Sequence, residues 1–268
     1  MAGLKIVAFI GTPAYLNYFV NEIADKHDIA LVIKENSRKH LLKKIREKGL
    51  WRSIQIIAQH ILNKHKIERI HNEILGNKWQ SIAEHIPLME TYNINSPEVL
   101  AQLQAIKPDL IVVQGTTLIK NSTIKDIPLV LNLHWGLSPY YRGSYCTEWA
   151  LLNEDILNIG YTLHKISARI DGGDILFQGR PQISPQDDTY SINMKLTRDG
   201  AKAMSMAIDH IKKGVPLHFH TQDSSQGELY LTKHWQARQK KLLPQQESKI
   251  AAMLSQPRIP AKKIIDQW

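Results

Sequence analysis

The sequence predicts an α/β fold of Rossmann-like type: a mainly parallel sheet flanked by helices, with a helical insertion and a short C-terminal extension. Three observations carry this expectation. Short apolar runs bounded by turn residues recur through the first half of the chain, helical patterns fall between them, and one long stretch after the second run breaks the alternation. Strands that alternate with helices are joined by crossovers, and crossovers give parallel pairing.

The apolar runs are Lys5 to Ile10, Ile29 to Ile33, Ile86 to Met89, Leu110 to Val113 and Leu129 to Leu133. Continuous Val/Ile/Leu runs of this length suit strands buried on both faces. Ala14 to Lys26 and Pro97 to Ile106 read as helices between them. The second has Ser96 as N-cap, Pro97 at the first helical position and Glu98 in the first turn, a full set of start signals. From about 36 to 85 the pattern becomes that of consecutive amphipathic helices. Its apolar positions are Leu41, Leu42 and Ile45, then Ile54, Ile57, Ala58, Ile61 and Leu62, then Ile67, Ile70 and Ile74. A long helix is expected from about Thr189 to Lys213, stopped by Gly214-Val215-Pro216. The expected division is a catalytic domain over 1–213 and an extension over 214–268, the latter with a loop and short strand at Asp223 to Leu231 and a surface-packed tail from Leu243.

Composition narrows the function classes. A chain of 268 residues buries the core of one large domain, or of one domain with a small appendage. Cys146 is the single cysteine, so no intrachain disulfide forms and no Cys-x-x-Cys metal or redox pair exists. Its first reading is a small buried apolar residue. No run of about eighteen apolar residues is present, which argues against a transmembrane helix. Lys5 to Gly11 lacks a cleavage site and reads as a first buried strand, so the expected localisation is cytoplasmic.

The formal charge is +9, and between Lys34 and His85 there are 12 Lys/Arg against 5 Asp/Glu. Such a block steers anionic partners, and it is equally the solvated face of ordinary helices. Leu41, Leu42, Ile45 and Leu50 opposite Arg38, Lys39, Lys43, Lys44, Arg46 and Lys48 describe an interfacial helix suited to peripheral contact with anionic lipid. The plainer reading is a helical cap packed on the sheet or on a second subunit, as in a homodimer.

The stretch that carries chemistry is Leu131-Asn132-Leu133-His134-Trp135-Gly136-Leu137-Ser138-Pro139-Tyr140-Tyr141-Arg142-Gly143, followed by Arg169-Ile170-Asp171-Gly172-Gly173-Asp174. Asn132 and His134 are two apart at the end of an expected strand, so both point to one face. In an open α/β sheet the carboxyl ends of the strands border the ligand crevice. An amide beside an imidazole suits a carbonyl oxygen that becomes negative. Asp171, before two glycines, is placed to orient the imidazole or take a proton. On the residues alone, the more ordinary readings are a strand-end cap or surface residue for Asn132 and His134 and a turn residue for Asp171.

Asn132-x-His134, Ser138-Pro139-x-x-Arg142-Gly143 and Asp171-x-Gly173-Asp174-Ile175, in that order and spacing, resemble the folate-dependent formyltransferases. The resemblance covers roughly residues 4–34 and 86–205. It implies the formyltransferase fold, N10-formyltetrahydrofolate as formyl donor, no metal, and direct attack by a substrate amine. By the same resemblance Asn132 and His134 stabilise the oxyanion, and Asp171 handles the proton. Gly115, Leu118, Ile119 and Lys120 match the segment that lines the pterin pocket, and the backbone around Ser167 to Asp171, with Ser167 and Ile170, would close its other side. Gly136 stands where the family has a serine, and Ser138 where it has a leucine.

For the acceptor, Ile10-Gly11-Thr12-Pro13 is similar to the start of the transfer-RNA and amino-sugar members, and unlike the phosphate loop of the purine enzymes. The expected acceptor is an amino sugar on a nucleotide, as in surface glycan or lipopolysaccharide biosynthesis. Gly11, Thr12, Tyr140, Tyr141, Arg142 and Tyr145 are its candidate contacts. Methionyl-tRNA is the alternative, disfavoured because the tail after about residue 205 is short for the barrel those enzymes carry. Trp51 and Trp79 sit in amphipathic patterns and read as packing residues rather than base-stacking platforms. A catalytically inactive formyltransferase-like binding module is the reading from another class.

Overall fold

The structure, a computed structural model, describes residues 3–36 and 64–268. Expectations resting on Arg38 through Leu62, including the interfacial helix and Trp51, lie outside the described residues. The chain divides into two compact units, Met1–Pro128 and Leu129–Trp268.

The first unit holds strands β1 (Ile6–Ile10), β2 (Ile29–Glu35), β3 (Leu88–Thr91) and β4 (Leu110–Gln114) in the order β3-β2-β1-β4, all parallel. Every residue of β1 and β4 is buried, as their unbroken aliphatic sequences require. After β3 the chain returns to the far side of β1, so the strand order reverses between β1 and β4. That reversal opens a crevice at their carboxyl ends. Gly11 and Gly115 meet there: a Cβ on Gly11 would overlap the Gly115 carbonyl, and Gly115 has φ +71°.

The expected helix at Ala14 starts as a 3-10 turn, Ala14–Leu16, and becomes α-helical over Asn17–Ala24. The helix Pro97–Ile106 forms as its caps dictate. Ser96 accepts from the Val99 N–H at 3.4 Å, and Lys107 ends the helix in the left-handed region. The third strand begins at Leu88, two residues later than expected. Ile86 is spent closing a turn onto the Ala83 carbonyl, and β2 first engages the strand through Val32 N–H to Pro87 O. β3 pairs only with β2 and leaves Leu88 48% exposed, so it is an edge strand and not one buried on both faces. Of the insertion, a helix over 64–75 is described. Ile70 and Leu75 are buried, and Trp79 packs its ring on His71 at 4.3 Å, the packing role expected of it.

The second unit is built differently. β5 (Leu129–His134), β7 (Tyr161–Lys165) and β8 (Ile175–Gly179) pair antiparallel in that order, and β6 (Tyr141–Gly143) pairs in parallel with β9 (Glu228–Tyr230). The helix Thr189–Lys212 covers the face of β5 opposite Asn132 and His134. Its Gly200 lies so close to Leu133 that a Cβ would overlap that side chain. An Asp188–Ser191 capping box starts this helix. The tail packs on the surface in helices held by a few buried contacts. Helices Ala237–Glu247 and Ile250–Ser255 form, Ile250 and Met253 are buried, and Ile265 exchanges hydrogen bonds with Gln178 on β8.

Candidate active site

β5 places the site. Asn132 lies opposite His164 of β7 and His134 opposite Thr162, so four polar side chains share one face of the antiparallel pair. Asn132 Nδ2 is 3.0 Å from His164 Nε2. His164 Nδ1 is 2.8 Å from the Lys165 carbonyl, which fixes a hydrogen on Nδ1. A neutral His164 therefore accepts from Asn132 at Nε2. A protonated His164 donates from Nε2 toward Asp171 Oδ1, 3.5 Å away.

Asp171 comes from the turn after β7 and has φ +46°, the left-handed region that L-residues seldom occupy. Its Oδ2 lies 3.4 Å from His134 Nδ1 and accepts the Gly143 N–H at 2.9 Å. His134 Nε2 faces the Tyr141 carbonyl at 3.1 Å. Both imidazole nitrogens of His134 thus meet acceptors, and only the imidazolium satisfies the two at once.

Burial works against that charge. It pushes the His134 imidazole below its ordinary value, and Asp171 opposes the shift without overcoming it. Burial alone would push the Asp171 carboxyl up. The charges of His134 and His164, with hydrogen bonds from His164 and Gly143, outweigh it and hold the carboxyl well below the usual carboxylate range. The result is a carboxylate fixed between two imidazoles, beside an amide with donors to offer. Such a cluster holds a proton and presents N–H groups to an oxygen that gains charge.

The loop after β5 is fixed from beneath. Thr162 donates to the Gly136 carbonyl at 2.6 Å and accepts the Ser138 N–H at 3.0 Å, and Gln178 donates to the Ser138 carbonyl at 2.7 Å. Gly136 is required here, because a Cβ would overlap His134 Nε2 and the Tyr141 carbonyl. The local departure from the family's serine thus belongs to the way this chain seats its imidazole. Cys146 is buried with Sγ 3.6 Å from His134 Nε2. Burial, then Asp171 and Glu148, push its thiol well up, which suits a packing residue and not a nucleophile.

The remaining candidates divide between the units. In the first, Thr12 donates to the Glu35 carbonyl and Ile119 is buried, while Leu118 is 68% exposed. Asn95 holds the loop around Leu118 and Lys120, donating to the Leu118 carbonyl and accepting the Lys120 N–H. Glu35 accepts from the Thr117 N–H and hydroxyl. Gln114, at the end of β4, is 2% exposed and its amide has no partner among the described residues. A buried orphan amide beside Gly115 is what a polar heterocycle would satisfy.

In the second unit, Ser167 bonds within its own turn and Ile170 is an exposed apolar side chain. Tyr141 turns its ring inward and donates to Asp155 at 2.9 Å, so its backbone, not its phenol, faces His134. Arg142 is buried and donates to the Ser224 carbonyl. Tyr140 is half-buried, and Tyr145 is 40% exposed and stacks on Trp235 at 5.0 Å. Trp149 stacks on Tyr230 at 4.8 Å, which in turn stacks on Tyr141. Sequence reasoning missed His164, Asn95, Glu35, Trp149 and Trp235. His164 carried a signal, a polar residue two positions after Thr162 in the strand before Asp171. Among the described residues no cluster of His, Cys, Asp and Glu is arranged to hold a metal ion.

The formyl transferase family matches residues 5–208. A methionyl-tRNA formyltransferase from Geobacter metallireducens is 28% identical over 217 residues, 80% of this chain and 61% of that protein. One from Koribacter versatilis is 33% identical over 214 residues, 78% of this chain and 60% of that protein. The chain thus spans about three fifths of the length of these curated relatives. Among solved structures, an N-formyltransferase from Helicobacter canadensis in complex with folinic acid and dTDP-3-aminofucose superposes with a TM-score of 0.56 at 16% identity, over 87% of this chain and 72% of that one. A 4-N formyltransferase from Francisella tularensis gives 0.54 at 19% identity, over 86% and 78%. These two likenesses concern the fold. With Asn132, His134 and Asp171 gathered into one cluster on that fold and the family match running through all three, the chain belongs to the formyl transferase family.

Proposed function

We propose that this protein transfers a formyl group from N10-formyltetrahydrofolate to the amine of a nucleotide-linked amino sugar, a step that suits surface glycan or lipopolysaccharide assembly. The observation that carries the reaction type is the cluster itself: Asn132, His134 and Asp171, with His164 bracing two of them. Bound donor supplies an activated formyl carbon, and the chain's own residues do the rest. Asn132 Nδ2 donates to the formyl oxygen as negative charge builds there. His134, flanked by acceptors at both nitrogens, holds the positive charge in the transition state, where the growing oxyanion offsets the cost of burial. Asp171 stabilises that imidazolium. As the bond between the formyl carbon and N10 breaks, His134 gives its proton to the departing nitrogen, and Asp171 passes the proton shed by the attacking amine back to His134, so the cluster ends as it began. Holding both reactants in place lowers the remaining barrier.

Within the first unit, the loop bearing Leu118 offers an exposed apolar side chain suited to a pterin face, which supports the donor-binding role that the resemblance implies for it. The orphan amide of Gln114 fits a heterocycle with both donors and acceptors. For the acceptor, the exposed Tyr145 on Trp235, next in sequence to Cys146 beside His134, supports a stacking surface for a sugar or base.

A second reading, methionyl-tRNA as acceptor, is favoured by the names of the sequence relatives and by the basic surplus between Lys34 and His85. The two separate in one experiment. Purified protein with N10-formyltetrahydrofolate is offered a panel of nucleotide-linked amino sugars and, separately, methionyl-tRNA, and release of tetrahydrofolate is followed. Turnover with a sugar amine supports the first reading and turnover with the tRNA alone the second. No turnover with any amine favours the inactive binding module. No helix among the described residues is long and apolar enough to cross a membrane.

A further inference from the structure

Gln222 lies far along the chain from the cluster, in the extension after the helix Thr189–Lys212, yet its side chain ends on the catalytic turn. It is 7% exposed. Its Nε2 donates to the Asp171 carbonyl at 3.1 Å and also to the Gly173 carbonyl. One amide group therefore pins the backbone on both sides of Gly172, in the turn where Asp171 is forced to φ +46°. A left-handed aspartate carries a conformational cost, and it persists only where its surroundings hold it. From the other side, the turn is pressed on β7: a Cβ on Gly173 would overlap the Lys165 carbonyl.

The segment that brings Gln222 is itself fastened at several points. His220 and Ile175 exchange backbone hydrogen bonds at 2.8 Å, which bridges the chain at His220 antiparallel to the start of β8. Arg142 donates to the Ser224 carbonyl at 3.2 Å. β9 then pairs with β6, matching Tyr230 to Gly143, and Gly143 is the residue whose N–H donates to Asp171 Oδ2. Residues 220–230 thus hold the catalytic carboxylate twice, its backbone through Gln222 and its Oδ2 donor through β9.

We propose that Gln222 is a positioning residue for the formyl-transfer reaction, and that the 220–230 segment of the extension completes the catalytic site by fixing Asp171 opposite His134 and His164. The proposal rests on the catalytic assignment of Asp171 made above. It gives the extension a task in the chemistry, since the carboxylate reaches both imidazoles only while its turn keeps this shape. Distances of 3.4 and 3.5 Å to two separate rings leave little tolerance.

The test compares Gln222→Ala, which deletes the amide, with Gln222→Glu, which keeps the shape and replaces the N–H donors. For both, kcat is expected to fall on the order of 10- to 100-fold, as for a catalytic group displaced by about an ångström, with KM for donor and acceptor little changed. The high-pH limb of the kcat profile should move to lower pH, because Asp171 no longer supports the charged form of His134 as well. Independently of turnover, the His134 imidazole, followed by NMR with labelled histidine and assigned by substitution, should titrate at lower pH in both variants. Wild-type kcat and an unchanged His134 titration would overturn the proposal. So would a loss of activity explained wholly by a smaller folded fraction, with profile and titration unmoved. If the wild-type protein turns over no amine, the catalytic reading fails instead, and the histidine titration still decides whether Gln222 positions Asp171.

Discussion

At the scale of single residues, the site is a contest between burial and charge. His134 is driven toward neutrality by its surroundings, while Asp171 and the Tyr141 carbonyl favour its proton. Removing either member should cost the reaction its charge management. We expect His134→Ala and Asp171→Asn each to lower kcat by on the order of 10² to 10⁴, with circular dichroism and thermal unfolding showing the fold retained. The same residues set a pH dependence of stability. Both have native values below their unfolded ones, so the unfolded chain binds more protons and stability rises with pH. The His134 contribution is present above the ordinary imidazole range and is lost as pH falls through and below it. The Asp171 contribution persists to lower pH and disappears below the carboxylate range. Denaturant unfolding between about pH 7.5 and 5.5 should show stability falling toward acid, with a shallower slope in His134→Gln. Cys146, buried with its thiol pushed up, should resist alkylation in the native protein and react on unfolding. Modification at the same rate in both states would contradict its packing role.

At the scale of elements, β5 and the loop after it decide where the imidazole sits. Gly136 cannot carry a side chain without striking His134. Gly136→Ala should therefore reduce kcat along with a loss of about 1–3 kcal/mol in stability, read by transfer assay and urea unfolding. Unchanged activity in a well-folded Gly136→Ala protein would mean the loop relaxes without moving His134. The elements also explain what the sequence disclosed. Asn132 and His134 were legible because period-2 spacing at the end of an apolar run places them on one face. Asp171 was legible only by resemblance, since a turn aspartate before glycines has an ordinary structural use. β7 was hard to read because it is short: Tyr161-Thr162-Leu163-His164 alternates as a strand does, but two apolar positions are too few to stand out, and Thr162 and His164 are polar because they serve the loop and the carboxylate. Gln222 was hidden for a simpler reason. Its contacts span 51 and 49 residues, and nothing local marks a glutamine in a loop as the support of a distant turn.

At the scale of the whole molecule, the two units are built on different plans. The first has the parallel order and the glycine-lined crevice expected from alternating strands and helices. The second has antiparallel strands and a following turn that bear the cluster proposed as catalytic, and an extension fastened along β8 and β6. The claim that joins these observations is that the chain moves a formyl group onto an amine through His134 and Asp171. It is tested most directly with N10-formyltetrahydrofolate labelled in its formyl carbon, incubated with a nucleotide-linked amino sugar and either the wild-type protein or Asp171→Asn. The expected result is label on the acceptor's amine with the wild-type protein and almost none with the folded variant. Equal labelling by the two proteins, or no labelled amine from the wild-type protein with any acceptor, would contradict it.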